Sequence, residues 1–302
     1  QSIPVDFNGS PGFGKRVSTN IPRVGDLMGR TYLQVTLPAI TDTSGGGQQC
    51  AWVDEIGHFL IKEISVTVGG QVIDRQFGLW LSIWYHLTLP YSKVPGYLDM
   101  IEGNLATKKT IHEPYTLFIP LQFWYCLSES QSMPLIALQY HQVGIVVQFE
   151  EFENCVKPLN DNTTPPEYPT TQSGETSFSA FLYIDYVFLD TDERRRFASN
   201  SHEYLITQLQ HTGAESFGTG TTTKSFRLNF NHPCKELIWV VHSDERKNSE
   251  FDLRTFNQVG NPISTDTTTT VMYFQNPVAS AKLQFNGHDR FSERTGLSLI
   301  HI

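Results

Sequence analysis

Only four cysteines occur in the 302 residues, Cys50, Cys126, Cys155 and Cys234, and no two form a C-x-x-C pair. That excludes a disulfide-rich scaffold and a zinc ribbon, and it fits assembly in a reducing compartment. Basic residues are also scarce, 22 against 31 acidic ones, for a formal charge of −9. Such a chain repels naked nucleic acid, so no direct nucleic-acid contact is expected. The densest basic run, Arg194-Arg195-Arg196, directly follows Asp190, Asp192 and Glu193 and reads as a balanced hinge or surface ion-pair cluster. No apolar run approaches the roughly 20 residues that cross a bilayer, and no secretory signal is recognisable, so membrane insertion is not expected.

Signatures of chemistry are missing as well. Gly9 to Lys15 imitates the front of a P-loop, but Arg16 stands where a magnesium-binding Ser or Thr is required and no strand precedes it. Ten histidines include no H-x-H pair and no H-E-x-x-H, so the metal pattern of a cupin is absent and each His reads as structural or superficial. The carboxylates Glu150, Glu151 and Glu153 read as a solvated loop rim rather than a glycosidase pair. Ser201-His202-Glu203 are neighbours in sequence, not a triad, and no G-x-S-x-G elbow occurs. Two glycosylation sequons, at Asn8 and Asn162, read as chance. The expectation is no catalytic residue, no cofactor and no metal.

What the chain does have is β signal. Aromatic residues reach 12%, and Val, Thr, Phe and Tyr suit half-buried pleated surfaces. Strands are predicted at Arg16–Ile21 and Thr31–Leu37, and a hairpin over Ile64–Asp74 turns at Gly69-Gly70. Pairing across that turn places Ile64, Val66, Val68 and Ile73 on one face and Ser65, Thr67 and Asp74 on the other. Residues Phe77 to Thr88 break the pattern: Phe77, Leu81, Trp84 and Thr88 form a helical stripe beside Trp80, which predicts a short amphipathic helix with both tryptophans mostly buried. Further strands are expected at Tyr115–Phe123, Pro134–Tyr140, Val143–Phe149 and Phe178–Leu189, the last apolar on both faces and so buried on both. Between them, Glu153 to Thr176 is rich in Pro, Asn and Thr and reads as a long surface loop. A second series is expected at Tyr204–Gln210, Ser225–Phe230, Leu237–His242, Val271–Phe274 and Ala281–Phe285, with a tight turn at Asn286-Gly287. Many short, evenly spaced strands with a break near residue 195 indicate two consecutive β-sandwiches, the second incomplete.

Nine blocks, in one order along the chain, carry a resemblance. They include Gly25-Asp-Leu-Met-Gly-Arg-Thr-Tyr-Leu-Gln-Val-Thr-Leu-Pro38, Trp52-Val-Asp-Glu-Ile-Gly-His58 and Ile73-Asp-Arg-Gln-Phe-Gly-Leu-Trp80. Phe118 to Cys126, Pro134 to His141, Leu189 to Phe197, His202 to Ile206, Asn231 to Trp239 and Leu283 to Phe291 complete the set. Together the blocks resemble the major capsid proteins of nucleocytoplasmic large DNA viruses, the group of iridoviruses, phycodnaviruses and mimivirus relatives. Ser128 to Pro134 departs from the Gly-containing apolar link usual there.

The resemblance implies an all-β double jelly roll. Residues 1–192 would be the first jelly roll with its short helix, 193–206 a linker, and 207–296 the start of a truncated second one. Leu297 to Ile302 equals one reading frame of a transposase end sequence used in sequencing libraries, CTGTCTCTTATACACATC, and is expected to be adapter read-through rather than a genuine strand. The implied function is structural, without enzyme activity. Homotrimers would form pseudo-hexagonal capsomers that contact neighbouring capsomers and minor capsid proteins in an icosahedral virion assembled in the host cytoplasm. Long inter-strand loops, Glu153 to Thr176 among them, would build the outward towers. The competing class is a carbohydrate-binding or carbohydrate-active jelly-roll protein.

Overall fold

A computed structural model describes residues 1–41, 48–107, 109–157, 159, 167–171, 177–216, 222–241, 258–259, 274–275 and 278–295. By its contacts the chain divides into two units, residues 1–232 and 233–302.

Among the described residues, eight strands of five residues or more frame the first unit. They are β1 (Ser2–Asp6), β2 (Arg16–Asn20), β3 (Leu27–Leu37), β4 (Ile61–Val68), β5 (Gln71–Gln76), β6 (Tyr115–Pro120), β7 (Val143–Phe149) and β8 (Ser179–Val187). One sheet runs β1-β8-β3-β6 with the two-residue strand Met133–Pro134 beside β3, and the other runs β2-β7-β4-β5. Every pairing in both is antiparallel. Chain neighbours β1 and β2, β3 and β4, β5 and β6, and β7 and β8 therefore sit in opposite sheets. That wrapping is the jelly roll.

Alternation fills the space between the sheets. Leu33, Val35 and Leu37 of β3, Leu182, Ile184 and Tyr186 of β8, and Leu117 and Ile119 of β6 are buried against Val17, Ile64, Val66, Ile145 and Val147. On β8 the expected double burial does not occur. Phe181, Tyr183 and Asp185 on its other face are only half-buried.

The Gly69-Gly70 turn takes φ of +59° and +83°, the left-handed pair that a two-residue hairpin requires. Beyond it the expected face assignment fails. The ladder pairs Thr67 with Val72 but Val66 with Asp74, so Ile73 bulges and the strand changes phase. Asp74 and Gln76, not Ile73, point inward and are buried. Burial raises the Asp74 carboxyl, and hydrogen bonds from the Leu209 N–H, the Gln76 amide and the Arg75 N–H partly offset that.

The connections β3–β4, β5–β6 and β7–β8 all leave from one end of the sandwich, because Leu37 pairs with Tyr115 and Phe149 with Ile61. A small sheet of Ile40–Thr41, Ile111–His112 and Thr170–Thr171 ties the three excursions together. Helices α1 (Ile56–Phe59), α2 (Gly78–Thr88) and α3 (Val94–Ile101) lie within the first two. The third contains the segment 153–176, of which 158, 160–166 and 172–176 fall outside the described residues, together with the sequon at Asn162.

Helix α2 forms where its pattern predicts but turns a different face inward. Gly78, Leu81, Ser82 and Tyr85 are buried, whereas Trp80 and Trp84 stack on each other at 5.4 Å and stay half-exposed. The reason is the close approach at Gly78, where a Cβ would run into the carbonyl oxygens of His58 and Ile61. Docking backbone to backbone at that point rotates the tryptophans off the sandwich.

Two other expectations are corrected. Pro134–Tyr140 is not a strand beyond the bridge at Met133–Pro134. Its amides at Ala137 and Leu138 close turns onto the carbonyls of Pro134 and Leu135 and so cannot serve a ladder. The charged run after residue 190 is a helix, α4 (Thr191–Ser199), opened by a full capping box. The Asp190 side chain accepts from the Asp192 and Glu193 N–H groups, and Glu193 accepts from the Asp190 N–H. The expected ion pairs are present too, Arg194 to Asp26 at 3.0 Å and Arg195 to Asp192 at 3.8 Å. Asp190→Ala should cost about 1 kcal/mol, read as faster amide exchange across 191–199 with the sandwich strands unchanged; unaltered exchange there would contradict the cap.

Among the described residues from 200 to 241 no strand is assigned, so Tyr204–Gln210, Ser225–Phe230 and the described part of Leu237–His242 are not ladder-paired. Alternation makes a strand only where a partner edge and an opposing face exist. Leu205 is 93% exposed, and Phe226 and Trp239 are also exposed. Gln208 and Leu209 instead hydrogen-bond to Ile73 and Asp74 of β5, which groups this stretch with the first unit.

In the second unit, Gln258–Val259 pairs with Phe274–Gln275, and β9 (Ser280–Phe285) forms a hairpin with β10 (His288–Thr295). Asn286 and Gly287 take φ of +50° and +80° at its turn, as their sequence predicts. Most of the expected strand Val271–Phe274, and residues 297–302, lie outside the described residues.

Candidate functional site

The densest buried polar chemistry lies where the excursions meet. Glu55, immediately before α1, is a fully buried carboxylate with left-handed backbone, φ +50°. Its Oε2 accepts from the Ser82 hydroxyl at 2.6 Å and pairs with His58 Nδ1 at 3.3 Å, while Oε1 meets His86 Nε2 at 2.8 Å. Ser82 and His86 reach it together because they are four apart on α2 and share a face. His58, on α1, contacts Tyr97 of α3 through Nε2 at 2.9 Å. A neutral His58 donating from Nδ1 to the carboxylate leaves Nε2 to accept from the Tyr97 hydroxyl. The Glu55 N–H donates to Glu102, just past α3, at 2.7 Å.

Burial alone would raise the Glu55 carboxyl, yet hydrogen bonds from His58, His86 and Ser82 outweigh it and hold it at about 2. Burial lowers His58 against the opposing pull of Glu55. Burial also raises the Tyr97 hydroxyl, followed by the Glu55 charge. The Glu55 carboxylate thus joins α1 to α2, and α3 is tied in through the His58–Tyr97 contact and the Glu55 N–H.

The set contains Ser, His and Glu but is not arranged for catalysis. The Ser82 hydroxyl donates to the carboxylate rather than to a histidine base, and Ser82, Glu55 and His58 are sealed from solvent. The sequence-based candidates do not converge either. His202 donates from Nε2 to the Phe197 carbonyl and stacks on that ring. Glu150 pairs with Lys62 and Asn154. Contrary to expectation a strand, β1, does precede Gly9–Lys15, but the turn buries Phe13 and leads into β2 rather than into a helix that could hold a phosphate. None of the four cysteines is in a disulfide. Among the described residues no group of three His, Cys, Asp or Glu is placed to hold a metal, and no helix is long and apolar enough to cross a membrane.

Strand order makes the first unit a jelly-roll sandwich, and comparison with known proteins agrees. Residues 1–190 match the family model for the major capsid protein N-terminus, and 193–297 match that for the large eukaryotic DNA virus major capsid protein. The chain belongs to the major capsid protein family of large eukaryotic DNA viruses. It is 35% identical to the major capsid protein of Phaeocystis pouchetii virus, covering 98% of this chain and 76% of that one. Identity to the major capsid protein of Pyramimonas orientalis virus is 41%, over 98% of this chain and 63% of that one. The solved PBCV-1 virus capsid contains a chain that superposes with a TM-score of 0.76 at 29% identity, over 98% of this chain and 71% of that chain. The fold is accordingly that of a double jelly roll, as the resemblance implied.

Proposed function

We propose that this chain is the wall-forming part of a virion shell subunit that works by self-assembly and makes or breaks no bond. Three copies associate into a pseudo-hexagonal capsomer, and capsomers tile an icosahedral capsid with minor capsid proteins as further partners. The supporting observation is the uninterrupted jelly-roll order β1-β8-β3-β6 over β2-β7-β4-β5, together with its superposition on a chain of the PBCV-1 virus capsid. Packing the two sheets face to face buries their apolar inner faces in one rigid block, which suits a wall element packed at high density. The division into a first jelly roll at 1–192, a linker at 193–206 and the start of a second at 207–296 belongs to the same reading. It is supported by the change of family model between 190 and 193.

Native mass spectrometry of the purified chain should find a species of three times 34.3 kDa. A chain that stays monomeric at every concentration, or binds oligosaccharide with its mass unchanged, would speak for the carbohydrate-binding class instead.

A further inference from the structure

The outward faces of the two sheets differ in chemistry. On the β2-β7-β4-β5 sheet, Arg16, Glu63 and Arg75 point outward among Ser18, Gln148, Thr67, Val146 and the exposed Val72, and Arg75 pairs with Glu63 at 3.3 Å. That is an ordinary hydrated surface. On the β1-β8-β3-β6 sheet the ladder sets Pro4, Tyr183, Tyr32 and Pro120 in one row across all four strands. The next row holds Phe181 and Phe118 with Gln34 between them. Phe118 is 40% exposed, and Tyr32, Phe181 and Tyr183 are half-exposed. Charge is confined to the rim, at Asp6, Arg30 and Asp185. An aromatic centre without charge inside a charged rim is the composition of a protein–protein contact.

We propose that this face is a docking surface for a second copy of the same chain. The inference rests on the self-assembly reading above and adds where the copies meet. Each copy carries a formal charge of −9, so two copies repel wherever acidic surfaces face each other. Close contact is favoured where charge is missing, and of the two sheet faces this one keeps its charge to the rim, whereas Glu63 stands on an inner strand of the other. Four strands spaced about 4.8 Å apart, each contributing some six residues, give a face on the order of 400 Å². A stable interface covers about 800 Å² per partner, so this face supplies its centre and neighbouring loops supply the rest. Tyr183 and Phe118 are the expected anchors, being large, rigid and partly pre-packed by their neighbours.

The test is sedimentation velocity of the 302-residue chain over a concentration series, beside two variants. Tyr183→Glu combined with Phe118→Glu places charge in the face, and Ser18→Glu does the same on the opposite sheet. Expected is self-association of the unaltered chain, weakened roughly tenfold or more by the double substitution and unchanged by Ser18→Glu, with equal melting temperatures. Equal association of the chain and the double variant overturns the proposal and leaves the self-assembly reading intact. A lowered melting temperature with unaltered association assigns the face to the chain's own second unit and also overturns it. A chain monomeric throughout removes both. Should the double variant misfold, hydroxyl-radical footprinting of the unaltered chain decides: oxidation of Tyr183 and Phe118 must fall as concentration rises, and constant oxidation refutes the proposal.

Discussion

Glu55→Ala is expected to lower the unfolding free energy by about 3–5 kcal/mol, measured by urea denaturation at neutral pH. The loss follows from what remains: a buried Ser82 hydroxyl and a buried His58 N–H without an acceptor, and α2 without its link through His86. Glu55→Gln retains the shape and part of the hydrogen bonding and should cost less. The same carboxylate sets an acid limit. Its pKa is about 2 in the folded chain against 4.5 ordinarily, so its contribution is complete above pH 4.5 and lost as pH falls from there toward 2. His58 adds to this, since burial lowers its pKa below 6.5 and acid charges it more readily in the unfolded chain. The unaltered protein should lose stability as pH drops below about 6.5 and faster below 4.5. In Glu55→Gln the second, steeper loss should shrink. If its acid limb between pH 4.5 and 2 matches that of the unaltered chain, the carboxylate is not the anchor described.

The second large effect is expected at Trp52, which is fully buried where the excursions cross the end of the sandwich. Its ring stacks near Phe13 at 6.0 Å and meets Phe152 edge-on at the same distance, while the Trp52 backbone N–H donates to the Leu105 carbonyl. Trp52→Ala should cost about 3–5 kcal/mol, through lost burial and the cavity left behind. Trp52→Phe should cost clearly less. The indole Nε1 is buried without a hydrogen-bond partner among the described residues, so losing that donor relieves part of what the smaller ring forfeits. Equal losses for the two variants would overturn this, because neither the retained phenyl ring nor the removal of the unpaired donor would then offset the loss of the indole.

The β architecture was legible because its signals are local. Alternation marked β3, β7 and β8, and Gly69-Gly70 and Asn286-Gly287 marked hairpins, since only residues tolerant of positive φ make those turns. Helix α4 was legible as well: Asp190 with Glu193 three residues on is a capping box, masked by reading the block for charge alone. The bulge at Ile73 was not, because either register satisfies the local pattern and only the partner strand selects one. The face of α2 was likewise undetermined. Trp80 and Trp84 are the more apolar choice, but the contact of Gly78 with the His58 and Ile61 backbone decides which side turns inward.

By itself the sequence determined the class of this protein: a β-rich chain without a catalytic motif, ordered by turn residues and carrying the blocks of a capsid family. Tertiary structure alone decided the buried carboxylate and the uncharged sheet face. Glu55, Ser82, His86 and Tyr97 become neighbours only when three helices dock. Tyr32, Phe118 and Tyr183 become one surface only when β3, β6 and β8 pair. Both arrangements join residues far apart in the chain, and such contacts are fixed by packing and ladder register, which no local pattern encodes.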